Sequence, residues 1–281
     1  MMYEIVEKTE LNSMVVLMKI DAPLVAKKAE PGQFIILRTD EAGERIPLTV
    51  ADFDRERGTV TIIFQIVGAT TKKLSMMEKG DCLHDFVGPL GRATHTEGLK
   101  KVAVVGGGVG CAIAYPVAKK LHAQGCEVHA ICGFRSKDLV ILQKEFENAS
   151  SKYVLMSDDG SAGEKGLVTD ALKKLIEGGE EYDEVITIGP LIMMKFVCAL
   201  TKEYGIKTVA SMNPVMIDGT GMCGGCRLSV GGKTVFACVD GPEFDGHLID
   251  FDEAMARSDA YSAFERHKYE QTCNLFKKEV E

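Results

Sequence analysis

The chain has 281 residues, of which 46% are hydrophobic and 26% are charged, and its formal net charge is -8. This composition is typical of a folded protein large enough for two domains. The acidic balance and the lack of a basic patch argue against a nucleic acid partner, and no apolar run reaches the length of a membrane span. The N-terminal residues lack the apolar core of a secretion signal. The nine cysteines therefore indicate a reducing, cytoplasmic setting rather than a disulfide framework.

Residues 1–97 contain short β-branched or apolar segments separated by turn residues. Such segments begin at Met14, Phe34, Ile46 and Val60. Many short strands at even spacing are typical of a small barrel. We therefore predict a β-barrel domain in this region, with one short helix beginning near Thr70.

Strands and helices alternate over residues 98–212, which predicts a Rossmann-like α/β domain with a parallel sheet. Strands are predicted at 101–105, 127–132, 153–156 and 185–190, with the last one at 208–211. Helices are predicted between them, one of them near 139–149. Residues 213–250 form a third predicted segment, and a charged helical tail is predicted over 251–281.

The first strand of this α/β region runs into a glycine-rich turn, and a helical stretch follows. The turn consists of Gly106, Gly107, Gly108, Val109 and Gly110. Glycines let the backbone approach a pyrophosphate, and the helix N-terminus supplies N–H groups and a positive dipole. The strict G-x-G-x-x-G pattern is broken at Cys111, so tight packing without a ligand remains the alternative.

Other polar or glycine residues follow three further strands. Ligands of open α/β sheets bind at the carboxyl ends of parallel strands. The residues predicted to reach a dinucleotide at this edge are Gly133, Arg135, Asp158, Asp159, Gly160, Gly189 and Pro190. Arg135 after the second strand favours NADP(H), whereas Asp158 or Asp159 can receive the adenosine ribose of NAD(H).

Three thiols and one carboxylate are close together in the segment after residue 212. Asp218, Cys223, Cys226 and Cys238 copy the plant-type iron-sulfur spacing, with Asp218 in the place of the first cysteine. The spacing favours a [2Fe-2S] cluster. A structural zinc ion and ordinary free thiols are the alternatives, although the second Cys-x2-Cys knuckle of a zinc ribbon is absent.

Several motifs resemble those of the ferredoxin–NADP reductase superfamily in order and spacing. They are Pro31-Gly-Gln-Phe34, Arg45-Ile-Pro-Leu-Thr49, Gly88-Pro-Leu-Gly91 and Gly106-Gly-Gly-Val-Gly110. With the added cluster segment, the chain is similar to electron-transfer subunits of class B dihydroorotate dehydrogenase. It is more similar to small subunits of the electron-bifurcating NADH-dependent reduced ferredoxin:NADP oxidoreductases, in which Asp replaces one cluster cysteine.

The resemblance implies FAD in the barrel and assigns residues to it. Arg45, Pro47, Leu48 and Thr49 would hold the isoalloxazine edge and the phosphates, and Phe64, Gln65 and Ile66 would line the flavin. Gly68, Thr70 and Thr71 would bind the pyrophosphate, and Gly88 would also belong to the cofactor site. The superfamily often has Cys where Ile188 stands and Gly-Thr where this chain has Thr70-Thr71.

The resemblance also implies a function. NADH would give a hydride to FAD, which would pass electrons to the cluster and on to a larger flavin/iron-sulfur subunit, with ferredoxin reached through the complex. No side-chain acid or base is expected to be catalytic. The alternatives are the electron-transfer subunit of an NAD-dependent dihydroorotate dehydrogenase and a zinc-stabilised binding module without enzymatic activity.

Overall fold

A computed structural model describes residues 3–261 and 264–270 of the chain. It contains a seven-stranded antiparallel sheet followed by a separate, mainly parallel sheet, which confirms the predicted barrel and Rossmann-like architecture. The elements of the first sheet and its two helices are β1 (Tyr3–Asn12), β2 (Val15–Asp21), α1 (Pro23–Ala26), β3 (Phe34–Arg38), β4 (Ile46–Asp54), β5 (Thr59–Gln65), α2 (Ala69–Met76), β6 (Cys82–Leu83) and β7 (Asp85–Leu90).

The first sheet curls nearly into a closed barrel. Its strand order is β6-β1-β2-β5-β4-β3-β7, so the two edge strands are β6 and β7, which only His84 separates along the chain. Inward-facing aliphatic and aromatic side chains, among them Ile20, Ile62 and Phe86, fill the interior. The curling of the sheet brings its two edge strands near each other and gives these side chains a common core.

The α/β region is built from alternating strands and helices. Its elements are β8 (Lys101–Gly107), α3 (Gly110–Ala123), β9 (Glu127–Phe134), α4 (Gln143–Asn148), β10 (Lys152–Ser157), β11 (Glu164–Lys165), α5 (Val168–Glu177), β12 (Glu184–Ile188), α6 (Leu191–Glu203) and β13 (Thr208–Ser211). The strand order is β11-β10-β9-β8-β12-β13, followed by an antiparallel edge strand. The order reverses between β8 and β12, which places the switch point of the sheet beside the glycine-rich turn.

The cluster segment and the part after it add a small hairpin and three further short elements. They are β14 (Arg227–Val230), β15 (Lys233–Phe236), α7 (Ala237–Asp240), β16 (Glu243–Asp245) and α8 (Phe251–Ser258). β16 pairs with β13, so the segment returns to the edge of the parallel sheet. Of the helices in the described part of the chain, none combines the length and apolar character that a bilayer crossing requires.

Three details differ from the sequence prediction. The helix predicted near 139–149 is interrupted, because Leu142 adopts a left-handed backbone conformation and α4 begins only at Gln143. Residues 208–211 are not the last strand, since β16 follows as an antiparallel edge strand. The predicted helical tail is helical at 251–258 and 264–270, and its residues 262, 263 and 271–281 lie outside the described residues.

Candidate functional site

The barrel has an opening between two strands that are neighbours in the sheet. Pairing between β4 and β5 extends from Asp54–Thr59 to Val50–Ile62. Within the described residues, no pairing joins 46–49 of β4 to 63–66 at the end of β5. Backbone polar groups along such an opening need partners other than the neighbouring strand. The opening is therefore a cleft that a planar cofactor can fill.

The residues expected to hold FAD lie on both walls of this cleft. Arg45, Pro47, Leu48 and Thr49 form one wall, and each is only partly buried although β4 is an internal strand. Gln65 and Ile66 lie on the other wall and are also partly buried. Phe64 is 2% exposed and packs into the barrel core, so only its backbone can face a ligand.

The expected pyrophosphate residues lie where β5 leads into α2. Gly68 precedes the helix, and a methyl group added there would meet no atom within 4 Å. The Thr71 hydroxyl accepts from the N–H groups of Val67 and Gly68, each at 3.0 Å, and Thr70 donates to Glu44 at 3.0 Å. Thr71 thus shapes the turn, while the Gly68 backbone leaves open space for a phosphate.

Gly88 lies outside this group of residues. It is part of β7, and a methyl group added there would approach Cγ2 of Ile35 to 2.6 Å. Since β7 pairs with β3, Gly88 serves the close packing of these two strands. Any contact of Gly88 with the cofactor remains a proposal from the sequence.

The glycine-rich turn closes tightly over the switch point of the parallel sheet. A methyl group at Gly110 would lie 2.5 Å from the carbonyl oxygen of Ile188, and one at Gly107 would overlap the thioether of Met193. Gly108 has a positive φ of 56°. The missing side chains let α3 begin directly against the end of β12, which leaves a backbone surface for a dinucleotide.

Cys111 explains why the turn departs from the usual glycine pattern. Its sulfur would lie 2.8 Å from a methyl group at Gly106, so the glycine at 106 makes room for the thiol. A methyl group added at Gly189, the remaining glycine of the switch point, would lie 3.2 Å from Gly107. Pro190 is the N-cap residue of α6. The broken pattern therefore preserves the close approach of strand, turn and helix.

The residues expected at the adenosine end lie side by side. The N–H groups of Asp158 and Asp159 donate to the carbonyls of Phe134 and Arg135 at 3.0 and 3.3 Å, which joins the ends of β9 and β10. The Asp159 carboxylate accepts from the hydroxyl and the N–H of Ser161, which lowers its pKa. The Asp159 carboxylate thus stabilises the turn in which it lies. The Asp158 side chain is exposed.

Gly133 and Gly160 support this edge through packing and turn geometry. A methyl group at Gly133 would lie 2.5 Å from Cγ1 of Val168, and Gly160 has a φ of 75°. Arg135 is exposed at the end of β9. The structure therefore brings all the predicted nucleotide residues to one edge of the sheet.

The four candidate cluster ligands form two pairs. The Cys223 N–H donates to the Asp218 carboxylate at 2.8 Å, and the Cys238 N–H donates to the Cys226 sulfur at 3.4 Å. Among the described residues, no three of these four side chains lie with ligand atoms within 4.8 Å of one another. One zinc ion needs four donors around a single centre, so the paired arrangement fits a two-iron centre better.

The two pairs differ in burial and in electrostatics. Cys226 and Cys238 are 1% and 2% exposed, whereas Cys223 is exposed and Asp218 is partly exposed. The N–H groups of Thr220 and Cys223 lower the pKa of Asp218, and burial together with the Cys226 thiol raises the pKa of Cys238 to about 12. Binding of iron to Cys238 must therefore displace the proton of its thiol. Cys226 and Cys238 are called the inner pair below, and Asp218 and Cys223 the outer pair.

The cluster segment is packed on the barrel beside the cleft. Nε of Arg45 donates to the carbonyl of Ile217 at 2.8 Å, directly before Asp218. A methyl group at Gly219 would lie 2.7 Å from both Ile36 and Leu90 of the barrel. Arg45 therefore touches both the cleft and the segment that contains the candidate ligands.

The structure adds two residues that the sequence prediction did not include. Met193 contacts Gly107 and Gly189 at the switch point. Gly219 packs against Ile36 of β3 and Leu90 of β7, where its lack of a side chain lets the loop with the candidate ligands, residues 217–226 (the cluster loop), approach the barrel. The positive φ of 77° at Gly219 is a requirement that its glycine identity could have suggested. Met193 carries no such signal, because a methionine early in a helix is usually a packing residue.

A second group of possible metal ligands consists of Glu127, His129 and Glu180. Lys101 pairs with Glu127 at 2.9 Å and with Glu180 at 2.5 Å, and His129 bonds to Tyr182 at 2.8 Å. Lys152 also pairs with Glu180 at 3.3 Å, so two lysines balance the two carboxylates. This group is therefore an ion-pair network at the start of the parallel strands.

Comparisons with known proteins agree with this geometry. Residues 213–250 match the family model described as the iron-sulfur cluster binding domain of dihydroorotate dehydrogenase B, and residues 104–199 match an oxidoreductase NAD-binding domain. A dihydroorotate dehydrogenase B (NAD(+)) electron transfer subunit homolog of Thermotoga maritima is 46% identical over 268 residues, which are 95% of this chain and 94% of that protein.

The chain is also similar to a named electron-transfer subunit and to a solved structure. The electron transfer subunit of dihydroorotate dehydrogenase B from Fusobacterium nucleatum is 36% identical, over 81% of this chain and 89% of that protein. A chain of the NADH-dependent reduced ferredoxin-NADP oxidoreductase structure superposes with a TM-score of 0.92 at 44% identity, covering 96% of this chain and 98% of that one.

Proposed function

Because this chain belongs to the family of dihydroorotate dehydrogenase B electron-transfer subunits and their homologues, we propose that it works as one subunit of a larger flavin enzyme. Its activity is that of the NAD(H)-binding subunit of an NADH-dependent reduced ferredoxin:NADP oxidoreductase. The cofactors are NAD(H), FAD and a [2Fe-2S] cluster.

One observation carries this proposal: the cluster segment is packed on the barrel beside the cleft. The Arg45–Ile217 hydrogen bond and the contact of Gly219 with Ile36 and Leu90 fix this placement. Ala51 of β4 and Ile63 of β5, next to the cleft, belong to one hydrophobic cluster with residues of α3, the helix that follows the glycine-rich turn. The nucleotide edge, the flavin cleft and the cluster ligands are therefore adjacent in space.

Each site has a defined task. Bound FAD supplies the conversion between hydride and single-electron chemistry. The glycine turn and α3 hold the dinucleotide, the walls of the cleft hold and orient the flavin, and Asp218, Cys223, Cys226 and Cys238 hold the iron. The paired ligands suggest Asp218 with Cys223 on one iron and Cys226 with Cys238 on the other.

The larger partner subunit is proposed to cover the surface around the outer ligand pair. Met222 is 89% exposed between Gly221 and Cys223, and Ile217 and Val239 nearby are 50% and 37% exposed. Exposed apolar side chains next to a redox centre are typical of an interaction site. We propose that ferredoxin exchanges electrons with the partner subunit and not with this chain directly.

Co-expression with the candidate larger subunit tests this function. The two chains should copurify, and Met222→Asp should weaken the complex without reducing the iron content. NADH should drive ferredoxin chemistry only in the complex. Reduction of ferredoxin by NADH with this chain alone would contradict the proposal.

The electron-transfer subunit of dihydroorotate dehydrogenase is the second candidate, because relatives with that name match most of the chain. The resemblance noted above gives the oxidoreductase small subunits an aspartate in place of one cluster cysteine, so Asp218 favours the first candidate. Capture of a dihydroorotate dehydrogenase catalytic subunit, with NAD-dependent oxidation of dihydroorotate, would reverse this preference.

Replacing Asp218 by cysteine should lower the reduction potential of the cluster while keeping two irons. A thiolate donates more electron density than a carboxylate, so the oxidised iron is stabilised relative to the reduced iron. A redox titration followed by EPR measures the change. An unaltered potential and spectrum would show that Asp218 only caps the turn through Thr220 and Cys223.

Replacing Asp158 by serine should shift coenzyme choice toward NADPH. The exposed carboxylate repels a 2′-phosphate and can accept from the ribose hydroxyls of NADH, whereas Arg135 nearby would favour the phosphate. A lost charged hydrogen bond changes the ratio of kcat/KM values by about tenfold. Asp159→Asn is the matched control, since that carboxylate serves Ser161. An equal shift in both variants would contradict the assignment to Asp158.

A further inference from the structure

Four arginines donate side-chain hydrogen bonds to backbone carbonyls of the cluster segment. The contacts are Arg45 Nε to Ile217 O at 2.8 Å, Arg92 Nε to Val239 O at 3.2 Å, Arg227 Nη1 to Gly224 O at 3.2 Å and Arg257 Nη2 to Gly225 O at 3.3 Å. The chain has nine arginines and a net charge of -8, so nearly half of its arginines contact this one segment.

The accepting carbonyls are next to the four candidate ligands. Residue 217 directly precedes Asp218, residue 239 directly follows Cys238, and residues 224 and 225 connect Cys223 to Cys226. The carbonyl of a residue shares a planar peptide unit with the next residue, so the anchored carbonyls of Ile217 and Gly225 fix the backbone that enters Asp218 and Cys226. The anchored carbonyls of Gly224 and Val239 lie one peptide unit beyond those that leave Cys223 and Cys238. The arginines thus hold the backbone close to each candidate ligand.

The arginines come from three different parts of the fold. Arg45 and Arg92 belong to the barrel part of the chain, Arg227 begins β14, and Arg257 lies in α8. The bonded residues of the Arg45 contact are 172 positions apart in sequence. One shared role explains these contacts from separate elements more simply than four unrelated surface contacts would.

Acidic neighbours compensate only part of this positive charge. Asp85 lies 3.9 Å from Arg45, and Asp240 lies 3.7 Å from Arg92. In the part of the chain that the structure describes, Arg227 and Arg257 have no carboxylate within ion-pair distance of 4.0 Å. Among the described residues, the guanidinium charges of Arg227 and Arg257 are therefore not offset by an ion pair.

We propose that Arg45, Arg92, Arg227 and Arg257 form an arginine collar that positions the cluster loop and raises the reduction potential of the cluster. The proposal rests on the proposed function, because it requires an iron-sulfur cluster at these ligands. The reduced cluster has one more negative charge than the oxidised cluster, so nearby cations stabilise the reduced form more. Arginine suits this role because it is always charged and its planar fork holds a fixed geometry.

Single substitutions to glutamine in the purified complex test the collar. At a fixed potential, Arg227→Gln and Arg257→Gln should each lower the ratio of reduced to oxidised cluster by about threefold to tenfold. A tenfold change corresponds to about 59 mV for a one-electron couple. Arg92→Gln should have a smaller effect, since Asp240 already offsets its charge. The readout is a redox titration of the cluster EPR signal.

Two further variants separate charge from folding. Arg227→Lys retains the charge and should largely restore the potential, whereas a fold defect would not be rescued. Arg57→Gln is the matched control, because Arg57 is in the turn at the other end of β4, about 27 Å of strand away from Arg45. Its potential should equal that of the unaltered protein.

The outcomes distinguish failure of the collar from failure of the proposed function. Iron-free protein without any substitution would overturn the proposed function itself. A normal cluster whose potential is unchanged in Arg227→Gln and Arg257→Gln would overturn the collar alone. Equal shifts in Arg57→Gln would also overturn it, because the effect would then reflect net charge rather than position.

Discussion

Cys226→Ala should remove most of the iron while FAD stays bound, leaving about a tenth of the iron or less. Cys226 is 1% exposed, its sulfur accepts the N–H of Cys238, and it is one half of the inner ligand pair. Its loss leaves one iron with a single protein ligand, and a cluster that depends on four anionic donors is then released. Iron, sulfide and flavin analysis after anaerobic purification measures the result.

Cys82→Ala is the matched control for this prediction. Cys82 lies on β6 of the barrel, pairs with Glu4 of β1 and is outside residues 213–250, which contain the candidate ligands. The control should keep its full complement of iron. Retention of iron in Cys226→Ala, or equal loss in both variants, would exclude Cys226 as a ligand.

Gly110→Ala should slow the reduction of bound FAD by NADH by about tenfold or more. The new methyl group would lie 2.5 Å from the carbonyl oxygen of Ile188 and 2.7 Å from Cα of Gly189. Both are backbone atoms of the opposite strand end and cannot move away cheaply, so overpacking costs about 1–3 kcal/mol. α3 must then shift from the position in which its N-terminus meets the pyrophosphate.

Gly205→Ala is the control for the change of residue type. Gly205 follows α6, has a φ of 67°, and a methyl group there would meet no atom within 4 Å. It should cost about 1–2 kcal/mol of stability through backbone strain alone and leave the NADH reaction unchanged. Stopped-flow measurement of flavin reduction compares the two, and an equally fast reaction in Gly110→Ala would contradict the assignment of the turn.

Local sequence patterns were sufficient for most elements that carry the site. The apolar run at Val102–Val105 followed by glycines identifies a buried strand and its turn, because buried parallel strands show continuous rather than alternating hydrophobicity. The ligand spacing from Asp218 to Cys238 likewise depends on a short stretch of chain. Such features are readable because the residues that interact are close in sequence.

Contacts between distant residues could not be read in this way. Three such contacts arise from the packing of separate elements. They are the hydrogen bond of Arg45 to residue 217, the contact of Gly219 with Ile36 and Leu90, and the contact of Met193 with Gly107. The same holds for Phe64, which a motif assigns to the flavin but whose side chain faces the barrel core. The alternation of apolar and polar residues along a strand does not show which face of the strand points into the interior of a curved barrel.

Metal and flavin analysis of anaerobically purified protein, together with EPR after reduction by NADH, tests the central claim most directly. The proposed function predicts one FAD, two irons and two sulfides for each chain, and a [2Fe-2S] signal that develops when NADH is added. One zinc ion for each chain, with neither iron nor flavin, would contradict it.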